Sequence, residues 1–322
     1  MDSQEKIEEL RGIIRQQLLP IIGKKVVLVD APYYNNIGDV LIWQGITDFL
    51  KENDISLLET SSFDTFKFPP IDSDVTILLM GGGNFGDLWR WAQDLRLRVI
   101  ETYVENNIIM FPQSVWYDNN KLIKEDAKRM ASHKNLYLCA RDKWSYEFLN
   151  RFFNKNNLLL VPDMAFYIDE NILKPYQHMK SNKLLFFRRL DKELTSSTPD
   201  SLGVECDIRD WPTMEVRPKI FSNLDFLYKI GRRISKYKVA QRVYYKSIDR
   251  VANKYIREKL VKQGCEFLAS YSYIATTRLH AMILGVLLHR NVAYLDNKTK
   301  KLSAFADTWL KDLSSVTPYE TH

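Results

Sequence analysis

The fold of this chain is constrained most by a series of short apolar runs that end in turn-forming or charged residues. In the first half these runs are KVVLVD, SLLET, VTILLMG, NIIMFPQS, LYLCARD and LLLVPD. Each is followed by a loop or by a stretch of helical character. Strands that are apolar throughout are buried on both faces, and strands that alternate with helices form parallel sheets. The pattern therefore predicts an α/β fold.

A second series of the same kind begins after a polar, proline-containing stretch at residues 169–182. It contains the runs LLFF, YIATT and VAYLDN, and a long helical region that we predict over residues 224–263. The length of 322 residues also exceeds that of one ordinary domain. We therefore predict two Rossmann-like halves that face a cleft, residues 1–175 and residues 176–322.

The composition argues against several classes of protein. Cys139, Cys206 and Cys265 lie far apart, and the histidines are scattered, so neither a disulfide framework nor a metal site is predicted. The N-terminal residues are charged and do not resemble a signal peptide. No apolar run approaches the roughly 18 residues of a membrane span. These features favour a cytoplasmic protein.

Positive charge is concentrated in residues 229–262, which hold twelve Lys or Arg and two Asp or Glu in a chain of net charge +6. The favoured interpretation is an amphipathic helix whose lysines face water. A second is peripheral contact with anionic lipid at the inner face of the cell membrane. Nucleic-acid binding is not predicted, because no recognisable nucleic-acid-binding module is present.

Ligands of doubly wound sheets bind at the carboxyl ends of the strands, against helix N-termini. Asn36, Gly38 and Asp39 follow the first strand and lead into a helix. They are either a turn glycine with Asp39 as the helix N-cap, or a loop whose glycine lets the backbone approach a ligand beside a carboxylate. After the fifth strand, we favour Asp142 as a helix cap that pairs with Arg141.

A glycine-rich segment with the pattern GxGxxG follows the third strand. Dinucleotide binding would require an acidic residue at the end of the next strand, where none occurs, and Asp87 would repel a pyrophosphate. We instead predict a loop in which Gly82, Gly83 and Asn84 surround a sugar or an anion.

The second half offers cationic strand ends. Arg188 and Arg189 end a very apolar strand, and two guanidinium groups suit a carboxylate or a phosphate, although a solvated charge cluster is the alternative. Thr277, Arg278 and His280 precede an apolar helix, so they predict an anion site with a proton donor. The alternative is a cap threonine, a surface arginine and a core histidine.

Taken in order, these loops resemble those of the polysaccharide pyruvyl transferase family, of the type encoded in biofilm exopolysaccharide loci. The matching segments cover most of the chain and are NIGD at 36–39, GGGN at 81–84, PQS at 112–114, ARD at 140–142, VPD at 161–163, Arg188, TRLH at 277–280, and DN at 296–297 with Lys301.

The resemblance implies a fold similar to GT-B glycosyltransferases and the transfer of pyruvate from phosphoenolpyruvate to a glycan, without a cofactor. The first half is then the acceptor side and the second half the phosphoenolpyruvate side. His280 is expected to be the general acid and Asp39 the base. The residues expected to bind substrate are Arg188, Arg278, Asn36, Gly38, Gly82, Gly83, Asn84, Asn297 and Lys301. Whether Arg188 or Arg189 faces the ligand stays open.

Two other functions remain open for the same sequence. One is a GT-B glycosyltransferase that uses a nucleotide sugar. The other is a non-catalytic protein that binds a glycan or a lipid within an assembly complex.

Overall fold

The structure, a computed structural model, describes residues 1–179, 181–191, 193–195, 198–296 and 298–319. It contains two parallel sheets with helices packed against them. The predicted α/β class is therefore confirmed.

The first sheet has the strand order β2-β1-β3-β5-β6-β7, and β4 pairs with β5. Its strands are β1 (Lys25–Val29), β2 (Ser56–Ser61), β3 (Thr76–Leu79), β4 (Gly82–Gly86), β5 (Ile108–Trp116), β6 (Leu136–Ala140) and β7 (Asn157–Leu160). The helices of this half are α1 (Ser3–Leu18), α2 (Ile37–Glu52), α3 (Arg90–Thr102), α4 (Asn120–Met130), α5 (Lys143–Phe152) and α6 (Glu170–Gln177), with a 3-10 turn at Met164–Tyr167. The central strands are buried, as continuous apolar runs require.

The second sheet has the order β12-β11-β10-β8-β9. Its strands are β8 (Leu184–Phe187), β9 (Asp207–Arg209), β10 (Tyr273–Thr276), β11 (Asn291–Tyr294) and β12 (Val316–Pro318). The helices are α7 (Pro212–Glu215), α8 (Lys219–Arg233), α9 (Lys238–Val251), α10 (Arg257–Ala269), α11 (Leu279–Leu287) and α12 (Lys301–Trp309), with a π-helical segment at Ala252–Ile256. The predicted division at residue 175 falls inside α6, between the two sheets.

A single apolar core extends from α1, α2 and β1 into β8, α10 and α11, so it joins the two sheets. Helix α2 lies at the centre of this core and is buried along most of its length. A side chain at Gly45 would collide with the carbonyl of Met164, so glycine lets α2 pack directly on the 3-10 turn. A Cβ atom at Gly264 in α10 would lie 2.7 Å from the side chain of Ile37, so the N-terminus of α2 packs against a helix of the second half.

The prediction of one helical region over residues 224–263 is wrong in detail, because the helix is interrupted between α8 and α9. The spacing of the apolar residues in this region predicts a buried stripe that includes Tyr237, Ile248, Val251 and Tyr255. Ile248 is buried, but Tyr237, Val251 and Tyr255 are exposed, whereas Tyr245, outside the stripe, is buried. The break rotates the buried face, so a single helical period does not describe the segment. In the part of the chain that the structure describes, no helix combines the length and the apolarity that crossing a bilayer requires.

Candidate functional site

A pocket of about 400 Å³ lies where loops from the carboxyl edges of the two sheets meet. The first half contributes Tyr34, Asn35, Asn36, Asp39, Gly83, Asn84, Trp89, Trp91 and Arg141. The second half contributes Arg189, Asp191, Glu193, Trp211, Met214, Arg278, Leu279, His280 and Lys301. Loops at this edge are the usual ligand-binding elements of doubly wound sheets.

His280 stands in the first turn of α11 and is mostly buried. Its Nε2 atom lies 3.4 Å from Oδ2 of Asp163, which also caps the 3-10 turn by accepting from the backbone N–H of Ala165 at 2.9 Å. Burial alone would raise the pKa of Asp163, but the adjacent His280 and Arg141 hold that pKa well below its usual range. Asp163 is therefore a fixed carboxylate that orients the imidazole ring.

Arg141 follows β6 and is fully buried. Its Nη1 atom donates to Asp163 Oδ2 at 2.8 Å, and its Nε atom donates to Ser114 Oγ at 2.9 Å. The predicted pairing of Arg141 with Asp142 is wrong, whereas the predicted cap is confirmed, since Asp142 accepts from Ser145 N at 2.7 Å. Successive side chains leave a strand end on opposite sides, so one faces the pocket and the other faces α5.

Arg278 precedes α11 and binds Asp210 through two hydrogen bonds, from Nε at 2.5 Å and from Nη2 at 2.6 Å. Nη2 also donates to Asp191 at 3.1 Å. Both Arg278 and Asp210 are buried. A paired, forked geometry of this kind fixes the orientation of a guanidinium group. As predicted, Arg278 and His280 line the same pocket.

The structure brings Arg189, and not Arg188, to the pocket. Arg189 donates to both carboxylate oxygens of Asp191, at 2.8 and 2.9 Å, and to Glu193 at 2.9 Å. Arg188 instead donates to Asp200 at 2.8 Å, away from the pocket lining. Arg188 was expected among the substrate-binding residues, with the choice between it and Arg189 left open. That expectation is corrected, since only Arg189 lines the pocket, because the two side chains leave the end of β8 in different directions.

Lys301 begins α12, and its Nζ atom donates to Glu193 at 2.5 Å. Burial lowers the pKa of Lys301 to about 8, despite the opposing effect of Glu193. A Cβ atom at Gly83 would lie 3.1 Å from Arg141 Nη2 and 3.4 Å from Lys301 Nζ. Gly83 therefore leaves room for two cations to approach one point. The predicted substrate-binding residue Asn297 lies outside the described residues.

We call Arg141, Arg189, Arg278, Lys301 and His280 the cationic wall. Its members alternate with four carboxylates, those of Asp163, Asp191, Glu193 and Asp210. Within the described part of the chain, neither the Arg141 Nη2 atom nor the Arg278 Nη1 atom makes a hydrogen bond. Both guanidinium groups thus retain donors for an anion.

The opposite side, which we call the polar wall, consists of Tyr34, Asn35, Asn36, Asp39, Asn84, Trp89 and Trp91. The residue that caps α2 is Asn36, which accepts from Gly38 N at 3.1 Å, and not Asp39, which the cap interpretation named and which lies in the first turn of the helix. Asp39 accepts from Asn36 Nδ2 at 2.7 Å and from Tyr34 Oη at 2.9 Å. A Cβ atom at Gly38 would lie 2.7 Å from Nδ1 of His280, so this glycine lets the two walls approach.

The glycine-rich segment forms β4 and not the predicted loop. Gly82 has a φ of +135° and lies behind the pocket, whereas Gly83 and Asn84 line it. Arg96 donates to the Asn84 carbonyl at 2.9 Å and to its side-chain oxygen at 2.5 Å. Asn84 is thus held from below by a buried guanidinium group that also lies 3.6 Å from Asp30.

Sequence reasoning missed the carboxylates that hold the cationic wall and ranked Arg141 as structural. The position of Arg141 directly after a strand was a usable signal, as was that of Asp163 three residues after β7. Asp191 and Asp210 gave no signal of their own, because their pairing with Arg278 depends on how β8, β9 and β10 are ordered. Among the described residues, no group of three or more His, Cys, Asp or Glu is arranged to hold a metal ion.

Comparison with known proteins identifies the family of this chain. The profile of the polysaccharide pyruvyl transferase family matches residues 36–299. A Bacillus subtilis (strain 168) protein described as a pyruvyl transferase, EpsO, is 30% identical over 98% of this chain and 95% of its own length. Pyruvyl transferase 1 of Schizosaccharomyces pombe is 30% identical over 89% of this chain and 70% of its own length.

A crystal structure of a Klebsiella pneumoniae protein of unassigned function has the same fold, with a TM-score of 0.63 and 16% identity over 97% of this chain and 99% of that one. The family profile and the two relatives cover most of the chain, and the profile includes every residue that lines the pocket except Tyr34, Asn35 and Lys301. The chain therefore belongs to the polysaccharide pyruvyl transferase family.

Proposed function

We propose that this protein transfers pyruvate from phosphoenolpyruvate to two hydroxyl groups of a sugar in an exopolysaccharide or its lipid-linked precursor, which yields a cyclic ketal and phosphate. The observation that carries the proposal is the position of His280, held by Asp163, among four cations. Phosphoenolpyruvate is a small, highly charged anion that must be protonated on carbon. A proton donor among guanidinium groups meets both needs.

The donor would bind along the cationic wall of a two-halved, GT-B-like cleft. Arg141 Nη2 and Arg278 Nη1 offer hydrogen bonds that protein carboxylates do not use. Lys301 lies close to Arg141, across Gly83. Each cation is already held in place by a carboxylate, so little rearrangement would accompany binding.

The reaction begins with transfer of a proton from His280 to the methylene carbon of phosphoenolpyruvate, which becomes a methyl group and leaves an oxocarbenium-like centre at C2. A sugar hydroxyl adds to C2, and the bond between C2 and the phosphate oxygen breaks. The second hydroxyl then closes the ring on C2. Of the two hydroxyl protons released, one replaces the proton given to carbon and the other leaves with phosphate.

Asp39 is proposed as the base that accepts the first hydroxyl proton. It lines the polar wall, and hydrogen bonds from Tyr34 and Asn36 orient its carboxylate. No cofactor is part of this scheme.

Isothermal titration tests the donor. We expect the protein to bind phosphoenolpyruvate and not to bind UDP- or GDP-sugars, and phosphate release to require an acceptor from a panel of lipid-linked oligosaccharides. Binding of nucleotide sugars alone would instead indicate a GT-B glycosyltransferase. Binding of glycans without any phosphate release across the panel would indicate a non-catalytic glycan-binding protein.

We also propose that the helical hairpin α8–α9 contacts anionic lipid. Phe226, Val239 and Val243 are exposed apolar residues on this hairpin. Lys and Arg are dense on the same two helices, and Arg232 pairs with Asp64 in the loop that follows β2. Exposed apolar residues among cations are typical of a surface that rests on anionic head groups.

Sedimentation with phosphatidylglycerol vesicles tests this contact. We expect binding at low salt that weakens as salt screens the charges. A variant with Val239→Ser and Val243→Ser should bind more weakly, while Val104→Ser, at an exposed valine outside α8 and α9, should behave as wild type. Equal binding at low and high salt, or no binding at either, would leave the hairpin as a solvated structural element.

A further inference from the structure

The pocket has an aromatic rim on the side that lacks cations. Trp89 and Trp91 line the pocket, and Trp91 is 40% exposed. Phe63 is 43% exposed and packs edge-on against Trp91, with ring centroids 5.1 Å apart and an interplanar angle of 82°. Large aromatic side chains are usually buried, so an exposed pair at a pocket mouth suggests a ligand surface.

The segment that carries the two tryptophans is firmly anchored. Arg90 lies between them and donates to both oxygens of Asp126, at 2.8 and 2.9 Å, and to Asp94 at 2.7 Å. Asp126 is almost completely buried and also accepts from Tyr117 at 2.7 Å. Arg90 therefore points away from the pocket and fixes the start of α3. The two indole rings stand on a rigid turn and not on a loose loop.

The chemistry of this side fits a neutral, hydroxylated ring. Among the described residues that line the polar wall there is no Lys or Arg, so an anion would find no partner there. Asn36, Asp39 and Asn84 supply amide and carboxylate groups that can bind hydroxyls. The electron-rich faces of indole rings attract the slightly positive C–H groups of a sugar ring.

The size of the pocket leads to the same conclusion. A volume of about 400 Å³ is more than a three-carbon phosphoester fills. With the donor on the cationic wall, space remains beside Asp39 and the two tryptophans. That space is bounded by the groups that a sugar needs.

We infer that Trp89 and Trp91, with Phe63 as a lateral support, form a stacking platform for a pyranose ring of the acceptor. The platform rests on the proposed function, because it presents a sugar hydroxyl to Asp39. Its role is to position the acceptor, so it should govern the KM for the acceptor and leave the KM for phosphoenolpyruvate unchanged.

Saturation-transfer NMR with methyl glycosides of glucose, galactose, mannose and N-acetylglucosamine tests the platform without turnover. We expect contact from the sugar ring protons, binding about ten-fold weaker in Trp91→Ala, and partial recovery in Trp91→Phe. Trp144→Ala is the matched control, since Trp144 is 47% exposed and lies outside the pocket lining. Circular dichroism checks that each variant is folded.

The outcomes separate the platform from the donor proposal. His280→Ala should abolish phosphate release but keep sugar binding, and titration with phosphoenolpyruvate is measured on the same samples. Failure to bind phosphoenolpyruvate with intact, Trp91-dependent sugar binding would overturn only the donor. Three results would overturn the platform. The wild-type protein binds none of the four glycosides, Trp91→Ala binds them as well as the wild type does, or the protein binds uridine or guanosine in their place in a Trp91-dependent manner.

Discussion

The two walls of the pocket are built from the same kind of position, the end of a parallel strand, but they differ in chemistry. On the cationic wall every charged side chain has a carboxylate partner, and Asp191 joins Arg189 to Arg278. On the polar wall Asp39 is held by a phenol and an amide. The first arrangement suits an anionic ligand and the second a neutral one. The comparison teaches that strand ends select a site's location, whereas partner residues select its ligand.

Removing the proposed proton donor from the cationic wall should cause the largest loss of activity. We expect His280→Ala to lower the rate of phosphate release from phosphoenolpyruvate plus acceptor by roughly 10²–10⁴-fold, the usual contribution of a general acid. His178→Ala is the control, because His178 is exposed and outside the pocket lining. Unchanged turnover in His280→Ala, with the fold intact by circular dichroism, would contradict the role of this histidine.

Substitutions of Arg278 and Arg188 test which guanidinium groups contact phosphoenolpyruvate. Arg278→Lys keeps the charge but loses the fork, so the KM for phosphoenolpyruvate should rise by about 10–100-fold. Arg188→Lys should leave that KM unchanged, because Arg188 pairs with Asp200 away from the pocket. The measurement is steady-state kinetics with donor and acceptor varied separately. A larger effect in Arg188→Lys would contradict the observed geometry.

The buried Lys301 should make donor binding depend on pH. Burial lowers its pKa to about 8, so Lys301 is charged below that pH and becomes neutral above it. If the charge binds the donor, kcat/KM for phosphoenolpyruvate should fall about ten-fold for each unit above pH 8. In Lys301→Arg this fall should move to higher pH, because a guanidinium group stays charged. A profile that is identical in both proteins would exclude Lys301 from donor binding.

The sequence allowed the α/β class, the parallel strands and the position of Arg278 and His280 to be predicted, because each depends on local patterns. A buried strand followed by a helix places its last residues at the ligand-binding edge whatever the rest of the chain does. For the same reason the cap by Asp142 was predictable from its neighbours in the sequence, whereas the expected cap at Asp39 is made by Asn36.

What could not be predicted depends on contacts between distant segments. Asp163 reaches His280 only because α2 and the 3-10 turn pack against α11, 117 residues apart in sequence. The choice between Arg188 and Arg189 depends on which of the two side chains leaves the face of the second sheet that borders the pocket. The break between α8 and α9 could not be recognised in the sequence, because residues 234–237 include neither proline nor glycine.

The smallest and most specific effect on catalysis is expected from a substitution where the polar wall's helix approaches His280. Gly38 of the polar wall's helix leaves no room for a Cβ atom, which would lie 2.7 Å from Nδ1 of His280 and 3.0 Å from its Cβ. Gly38→Ala should therefore displace the imidazole from Asp163 and lower kcat by about ten-fold, because small misplacements of a catalytic group are costly. The KM values for both substrates should change little, since the arginines and tryptophans are untouched.

Gly12→Ala is the matched control for this substitution, because a Cβ atom at Gly12 in α1 meets nothing within 4 Å. That variant should keep full activity and gain roughly 0.5–1 kcal/mol of stability from the higher helix propensity of alanine. Urea denaturation separates a loss of folding from a loss of catalysis in Gly38→Ala. If kcat were unchanged while the protein stayed folded, the imidazole would have room to move, and the alignment of His280 by Asp163 would not depend on the contact between the walls.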